Sequence, residues 1–372
     1  MMTFLAHYGL FLLKALTLLL VFAGGALLLA VIASRARKAG ASGGKSGREK
    51  EGRIEVVKYN ERLDDLHETL SLSLLTPIER KQHEKDTRKR KKEEAKEAAR
   101  TAKQASKARD KDKGAPPDET RARVFVLDFD GDLRATAVET LRREITAILT
   151  TATPADEVVV RLESGGGAVT GYGLAGSQLD RVRAHGTPLT ICVDKVAASG
   201  GYMMACVADK VIAAPFAVLG SIGVVAQIPN FHRLLKELNI DIEILTAGKY
   251  KRTLTLFGEN TDEGREKFVA DIERIHEQFK HHVGERRPSL DMERVSTGEV
   301  WSGQDALDLQ LVDRLATSDE YLVEACESRD VVLVKFAPPK KGLLGRFSFG
   351  MEQAVDRTLL RWLDRAQRHP LG

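Results

Sequence analysis

Cysteine is scarce in this chain. Cys192, Cys206 and Cys326 are the only three among 372 residues. That is too few for a disulfide framework, and none has Cys-x-x-Cys or Cys/His metal spacing. Cys192 lies in the run Leu189-Thr-Ile-Cys-Val193, where a cysteine acts as a small buried hydrophobe. A dominant charge sign is also lacking: 57 Lys+Arg stand against 53 Asp+Glu, a formal net charge of +4, which excludes a wholesale nucleic-acid binder. Collagen-like, disulfide-rich and fully disordered compositions are excluded too. No repeat of 20–50 residues is visible. What remains is a globular protein with attachments.

The first attachment is a membrane segment. Residues 15–33 contain one hydroxyl side chain and no charge. At about 1.5 Å per residue they nearly span a ~30 Å hydrocarbon core, and residues 10–13 lengthen the run. Lys14 interrupts it but can snorkel to the near interface. A cleaved signal peptide fits less well: the run is too long, no basic stretch precedes it, and Arg35, Arg37 and Lys38 follow at once. An uncleaved anchor over residues 1–38 is therefore expected, its contact with lipid made through this helix. The basic residues after the span favour a cytoplasmic bulk, a bias that long translocated domains can ignore.

Residues 39–119 read as a linker and spacer. Residues 39–47 are rich in Gly, Ser and Ala, as flexible linkers are. Residues 53–76 carry patchy apolar periodicity (Leu63, Leu66, Leu70, Leu74) and predict a short helix. Residues 79–113 hold 15 Lys/Arg and 8 Asp/Glu, a local +7 that leaves about −3 for the rest. With no face to bury, such a run is a solvated helix or a disordered spacer. A folded domain is expected over residues 120–330. The tail 331–372 mixes Phe347, Phe349, Trp362 and leucines with basic residues, a composition that fits an amphipathic helix.

The folded part alternates strand-like and helix-like segments. Continuous apolar runs at 124–129, 158–162, 189–193 and 211–214 predict buried strands, and 222–226 and 242–246 resemble them. Helical spacing occupies 135–149, 171–182, 202–208, 231–238 and 263–282. Alternation of this kind argues for an α/β fold with a largely parallel sheet.

Three glycine-containing turns fall at predicted strand ends, where α/β folds place their chemistry. Glu163-Ser-Gly-Gly-Gly-Ala-Val169 leaves backbone N–H groups available before a helix, able to hold a carboxylate, a phosphate or an oxyanion. No Gly-Lys-Ser/Thr follows it, so it is not a P-loop. Asp194-Lys-Val-Ala-Ala-Ser-Gly-Gly-Tyr202 sets a serine between a strand and a helix, the arrangement of a nucleophile elbow. The same serine in the same place is also a helix cap, and spacing alone leaves both open. Thr246-Ala-Gly-Lys-Tyr-Lys-Arg252 is a basic loop, ordinarily a solvated surface. A lysine acting there as a base would need burial to disfavour its ammonium form.

Together these turns, with Leu219-Gly-Ser-Ile-Gly-Val224, resemble the signature blocks of the signal peptide peptidase A family. The anchor, the charged spacer and Thr253-Leu-Thr-Leu-Phe-Gly-Glu-Asn-Thr261 resemble its SohB branch. The resemblance implies a ClpP/crotonase-like fold of repeated β-β-α units, a serine endopeptidase using a Ser–Lys dyad, and a bacterial inner-membrane location. By position it makes Ser199 the nucleophile and Lys251, rather than Lys249, the general base. Backbone N–H groups of Gly166, Gly167 and Gly200 would form the oxyanion hole. It implies peptide or protein substrates (signal peptides or fragments of membrane and exported proteins), no metal, no cofactor, no nucleic acid, and a homo-oligomeric ring. Gly165 stands where the family usually has proline, which loosens the turn.

Rival expectations from other classes are a crotonase-like acyl-CoA enzyme, needing no serine nucleophile, and a non-catalytic membrane scaffold. Lys195 fits an exposed strand end, and Ser221 supports a turn. No histidine accompanies residues 222–226, where a Ser-His-Asp triad would need one. His276, His281 and His282 share one amphipathic helix without carboxylates in a metal pattern, and are expected at its surface.

Overall fold

In the computed structural model, placement is described for residues 52–76, for part of 78–100 and for 121–338. The expected anchor, most of the spacer and the tail beyond residue 338 lie outside the described residues. Among the described residues, no helix is long and apolar enough to cross a membrane.

Four of the apolar runs become neighbouring strands: β2 (Arg123–Gly131), β3 (Glu157–Ser164), β4 (Leu189–Val193) and β6 (Lys210–Ala213). They pair in parallel, with Val126 beside Val159, Val159 beside Thr190 and Ile191 beside Val211. Continuous apolar strands need covering on both faces, and both are covered here. One core gathers Leu127, Phe129, Val160, Leu162 and Ile191 under α2 (Val138–Leu149), α3 (Val169–Ala184) and α4 (Gly200–Ala205). The other gathers Val124, Val126, Val159, Cys192 and Ile212 under α9 (Ser318–Ser328), whose Tyr321, Leu322 and Ala325 point inward. Each fully buried leucine or isoleucine here contributes about 2–5 kcal/mol against truncation to alanine.

The sheet has ten strands and a fork. Its main path runs β1-β10-β2-β3-β4-β6-β9, where β1 is Arg53–Lys58, β9 Arg314–Leu315 and β10 Asp330–Ala337. A branch leaves β3 through β5 (Val196–Ala198) and β7 (Val218–Gly220) to β8 (Val300–Ser302), and only the last of these pairings is antiparallel. The fork swings β5 and β7 away from β4 and β6. It carries the glycine-rich turn after β3 and the serine turn after β5 to one place, since Ser164 is in register with Ala197.

Three expectations are corrected. Residues 53–76 form β1 followed by the helix α1 (Tyr59–Leu74), not a helix alone. Residues 222–226 and 242–246 are not strands. Apolar content alone does not make a strand. It also needs a ladder partner, and this chain brings none to either segment: Val225 and Leu245 are 91% and 90% exposed.

The remaining helices are α5 (His232–Glu237), the long α6 (Asp262–Arg286), α7 (Met292–Val295) and α8 (Gly303–Asp308). Thr261 caps α6 by accepting the Gly264 N–H at 3.1 Å, and Asp262 and Glu263 complement the positive end of the helix dipole.

Candidate active site

Ser199 links β5 to α4 with φ 52° and ψ −117°, a left-handed conformation that costs a non-glycine residue about 1–3 kcal/mol. Hydrogen bonds on both sides impose it. The Ser199 N–H donates to Gly220 O at 2.8 Å, and its carbonyl accepts the Met203 N–H at 2.9 Å. Ser199 holds the N-cap position of α4, yet its side chain makes no capping bond. The capping role that spacing left open is therefore not taken up. The hydroxyl sits half-buried at the point of a strained turn.

The glycines around it are demanded by contact. A Cβ on Gly166, itself at φ 89°, would lie 2.7 Å from Ala198 O, Gly200 N and Ser199 Cβ. One on Gly201 would lie 2.5 Å from Ser164 O. The glycine-rich turn and the serine turn thus pack backbone against backbone. The Gly166 N–H donates to Ser164 Oγ at 3.1 Å. The N–H groups of Gly167 and Gly200 have no acceptor among the described residues. Two N–H donors beside a serine hydroxyl suit an oxygen that gains negative charge as the hydroxyl attacks. Gly165 needs no glycine: a Cβ there would meet nothing within 4 Å, and its φ is not positive.

Lys251 is placed differently. Its turn is closed by its own N–H donating to Gly248 O at 3.1 Å, and its side chain is exposed. No contact of Lys251 with Ser199, nor any ion pair, occurs among the described residues. Lys249 is held by Glu263 at 2.6 Å, and this hydrogen bond raises its pKa above the ordinary lysine value. A lysine so held stays charged and is unsuited to act as a base. Within one chain, then, Ser199, Gly166, Gly167 and Gly200 come together, and Lys251 lies on an exposed loop.

Rival nucleophiles are poor. Burial pushes the Cys192 and Cys206 thiols up to about 12, so neither forms a thiolate near neutral pH. Cys192 lies at the wall of a cavity of about 230 Å³ at the carboxyl ends of β2, β3 and β4, beside Asp128, Arg161 and Asp194. Neither Ser199 nor Gly200 lines it. Lys195 at its edge pairs with Glu163 at 2.9 Å, both well exposed. Among the described residues no group of His, Cys, Asp and Glu has the arrangement of a metal site.

Two site features escape sequence reasoning. His276 and His282 are not surface residues of α6. Their Nε2 atoms donate to Ile222 O at 3.1 Å and Met203 O at 2.9 Å, tying α6 to the turn after β7 and to α4. Burial pushes the His282 pKa below its ordinary value, so the ring is neutral. The i, i+6 spacing of the two rings gave no hint of separate backbone partners. The other feature is Tyr172, fully buried beneath both turns.

The chain is similar to known proteins. A family model described as Peptidase family S49 N-terminal matches residues 3–179, and one described as Peptidase family S49 matches residues 181–332. The chain is 45% identical over 364 residues to "Probable protease SohB" of Haemophilus influenzae, covering 98% of each. It is 52% identical over 241 residues to the protein of the same description from Buchnera aphidicola subsp. Acyrthosiphon pisum, covering 65% of this chain and 71% of the other. A solved membrane-bound stomatin-specific protease, 1510-N, is 14% identical with a TM-score of 0.36, over 55% of this chain and 84% of that one, a likeness too slight to carry an argument.

Proposed function

We propose, from the premise that this chain belongs to peptidase family S49 and is a protease, that it is a membrane-anchored serine endopeptidase acting through a Ser199–Lys251 dyad. The observation that carries the assignment is the Ser199 turn: a strained, positive-φ serine with an uncommitted hydroxyl, packed on a turn with a free N–H.

Ser199 Oγ attacks the carbonyl carbon of the scissile peptide while its proton passes to the neutral Lys251 Nζ. The carbonyl oxygen becomes an oxyanion held by the N–H groups of Gly200 and of the 165–167 turn. Collapse breaks the C–N bond, and the Lys251 ammonium returns its proton to the leaving amine. A water molecule, losing its proton to Lys251, then attacks the acyl-enzyme, and Ser199 leaves as a hydroxyl. Removing one oxyanion donor from such a site costs about 10²–10³ in rate.

A base must be neutral, and an exposed lysine is charged. In the proposed assembly Lys251 becomes buried against the Ser199 of an adjacent subunit, in a ring of about eight copies of a ClpP/crotonase-like unit. Exposed apolar residues in the same stretch of chain as Lys251 support this: Val225, Phe231, Leu245 and Phe257 lie between 43% and 91% exposed in the lone chain. Of these, Phe231 and Phe257 stack on each other at 6.1 Å between ring centroids, and clustered exposed apolar residues are typical of interfaces. Residues 15–33 would anchor the ring in the bacterial inner membrane, with peptide fragments as substrates.

A serine-directed fluorophosphonate separates this from the acyl-CoA and scaffold alternatives. Labelling of the wild-type protein that disappears in Ser199→Ala is expected. A folded wild-type protein that resists labelling would refute the nucleophile.

A further inference from the structure

The Tyr172 side chain touches both turns of the site. It sits one turn into α3 and is fully buried. Its hydroxyl closes a hydrogen-bond chain whose direction is fixed at both ends. The Asp132 carbonyl can only accept, so Tyr172 Oη–H donates to it at 2.8 Å. The Gly166 N–H can only donate, and it does so to Ser164 Oγ at 3.1 Å. Ser164 Oγ–H therefore donates to Tyr172 Oη at 2.5 Å, in preference to Gly131 O at 3.4 Å. Each bond polarises the next, and the chain is buried, where breaking it leaves unpaired groups. The ring does separate work. It lies so close beneath Gly200 that a Cβ there would sit 2.4 Å from Tyr172 Cγ.

We infer that Tyr172 is a positioning residue for the oxyanion hole: its hydroxyl, through Ser164, fixes the 165–167 turn, and its ring fixes the height of Gly200. The two N–H groups that face the developing oxyanion are thereby held at one spacing, without Tyr172 touching substrate. Burial raises the Tyr172 pKa, which keeps the hydroxyl protonated as the donor this chain needs. The inference rests on Ser199 being the nucleophile. It makes Tyr172 more than a core aromatic, because removing one oxygen should disturb the chemistry more than the fold.

The experiment is Tyr172→Phe in the full-length protein, which keeps the ring and removes the hydroxyl. The rate of Ser199 labelling by a fluorophosphonate and kcat should each fall about 10-fold or more, with KM little changed and the circular dichroism spectrum of the folded protein retained. Ser164→Ala breaks the same chain at its other link and should produce a similar loss. The double variant should lose no more than the worse single one, as residues acting in one network do. Should Tyr172→Phe fail to fold, the Ser164→Ala labelling rate decides the matter alone. Wild-type labelling rates in the folded variants, with Ser199→Ala still blocking the probe, overturn the positioning role and leave the peptidase assignment standing. Absence of labelling in the wild type overturns the nucleophile, and this inference with it.

Discussion

The Ser199 region and the Lys251 region are built on opposite principles. Around Ser199 the backbone is packed so tightly that Gly166, Gly200 and Gly201 admit no side chain. The strained Ser199 dihedral is matched by hydrogen bonds on both sides, and the turns rest on a parallel sheet buried on both faces. The stretch from Gly223 to Asn260, by contrast, contributes no member to either hydrophobic core. Many of its apolar residues are exposed, and the Lys251 side chain has no partner among the described residues. One region is organised by its own chain. The other has the composition of an interface and the exposure of a surface. Under the proposed dyad, a protease divided this way would carry a prepared nucleophile and an unprepared base, and would become competent only on assembly.

The largest effect that would break this contrast concerns the two lysines. Lys251→Ala should abolish peptide turnover, a loss of about 10³-fold or more, while Lys249→Ala should leave it within about threefold. The Lys249–Glu263 pair is an exposed ion pair, which contributes little to stability. Steady-state hydrolysis of a fluorogenic peptide measures both. An essential Lys249 with a dispensable Lys251 would reverse the assignment. Because the base acts only when neutral, wild-type turnover should also rise with pH toward the alkaline side.

Next in size is assembly. Leu245→Lys places a charge on a side chain 90% exposed in the lone chain, so it should leave the thermal transition of the subunit within a few degrees. In the ring that charge would be buried, and sedimentation should show dissociation together with lost activity. A variant that stays assembled and active would remove this residue from the interface.

The organised region supplies a smaller, pH-dependent effect. Burial by itself would raise the Asp156 pKa, but the Arg123 guanidinium and the Thr153 and Arg123 N–H groups hold its carboxylate down at about 2. A carboxylate held below its ordinary value stabilises the fold above pH ~4 and loses that contribution as pH falls through about 2. The amount is about 2 kcal/mol. Asp156→Asn should thus lower Tm at pH 7 and flatten its fall in acid, as calorimetry would register. An unchanged acid profile would contradict it.

The smallest effect is a gain. Gly165 has open space at its Cβ position and no positive φ, so Gly165→Pro should be accommodated. By restricting the unfolded chain it should stabilise by about 0.5–1 kcal/mol with activity retained. A loss of both would mean that the turn needs the freedom of glycine.

Much of this was legible in the residues. Continuous apolar runs located β2, β3, β4 and β6, because strands buried on two faces must be apolar throughout. β5, β7 and β8 were not legible: each is three residues long, and their pairing depends on the fork at β3. Residues 222–226 and 242–246 read as strands because apolar residues mark burial without saying against what, and in this chain the partner is missing. The serine turn could be placed but not decided, since a helix cap and a nucleophile elbow share a spacing and differ in φ. Tyr172 and His276 carry no signal of their role, which depends on carbonyls 40 and 54 residues away.

The central claim is that one active site draws on two chains, and subunit complementation tests it most directly. Ser199→Ala and Lys251→Ala proteins, each inactive alone, are mixed under conditions in which differently tagged subunits are shown to exchange. Recovery of a fraction of wild-type peptide hydrolysis in the mixed assembly is the predicted result. No recovery despite demonstrated exchange would place both residues in the same chain and contradict the account.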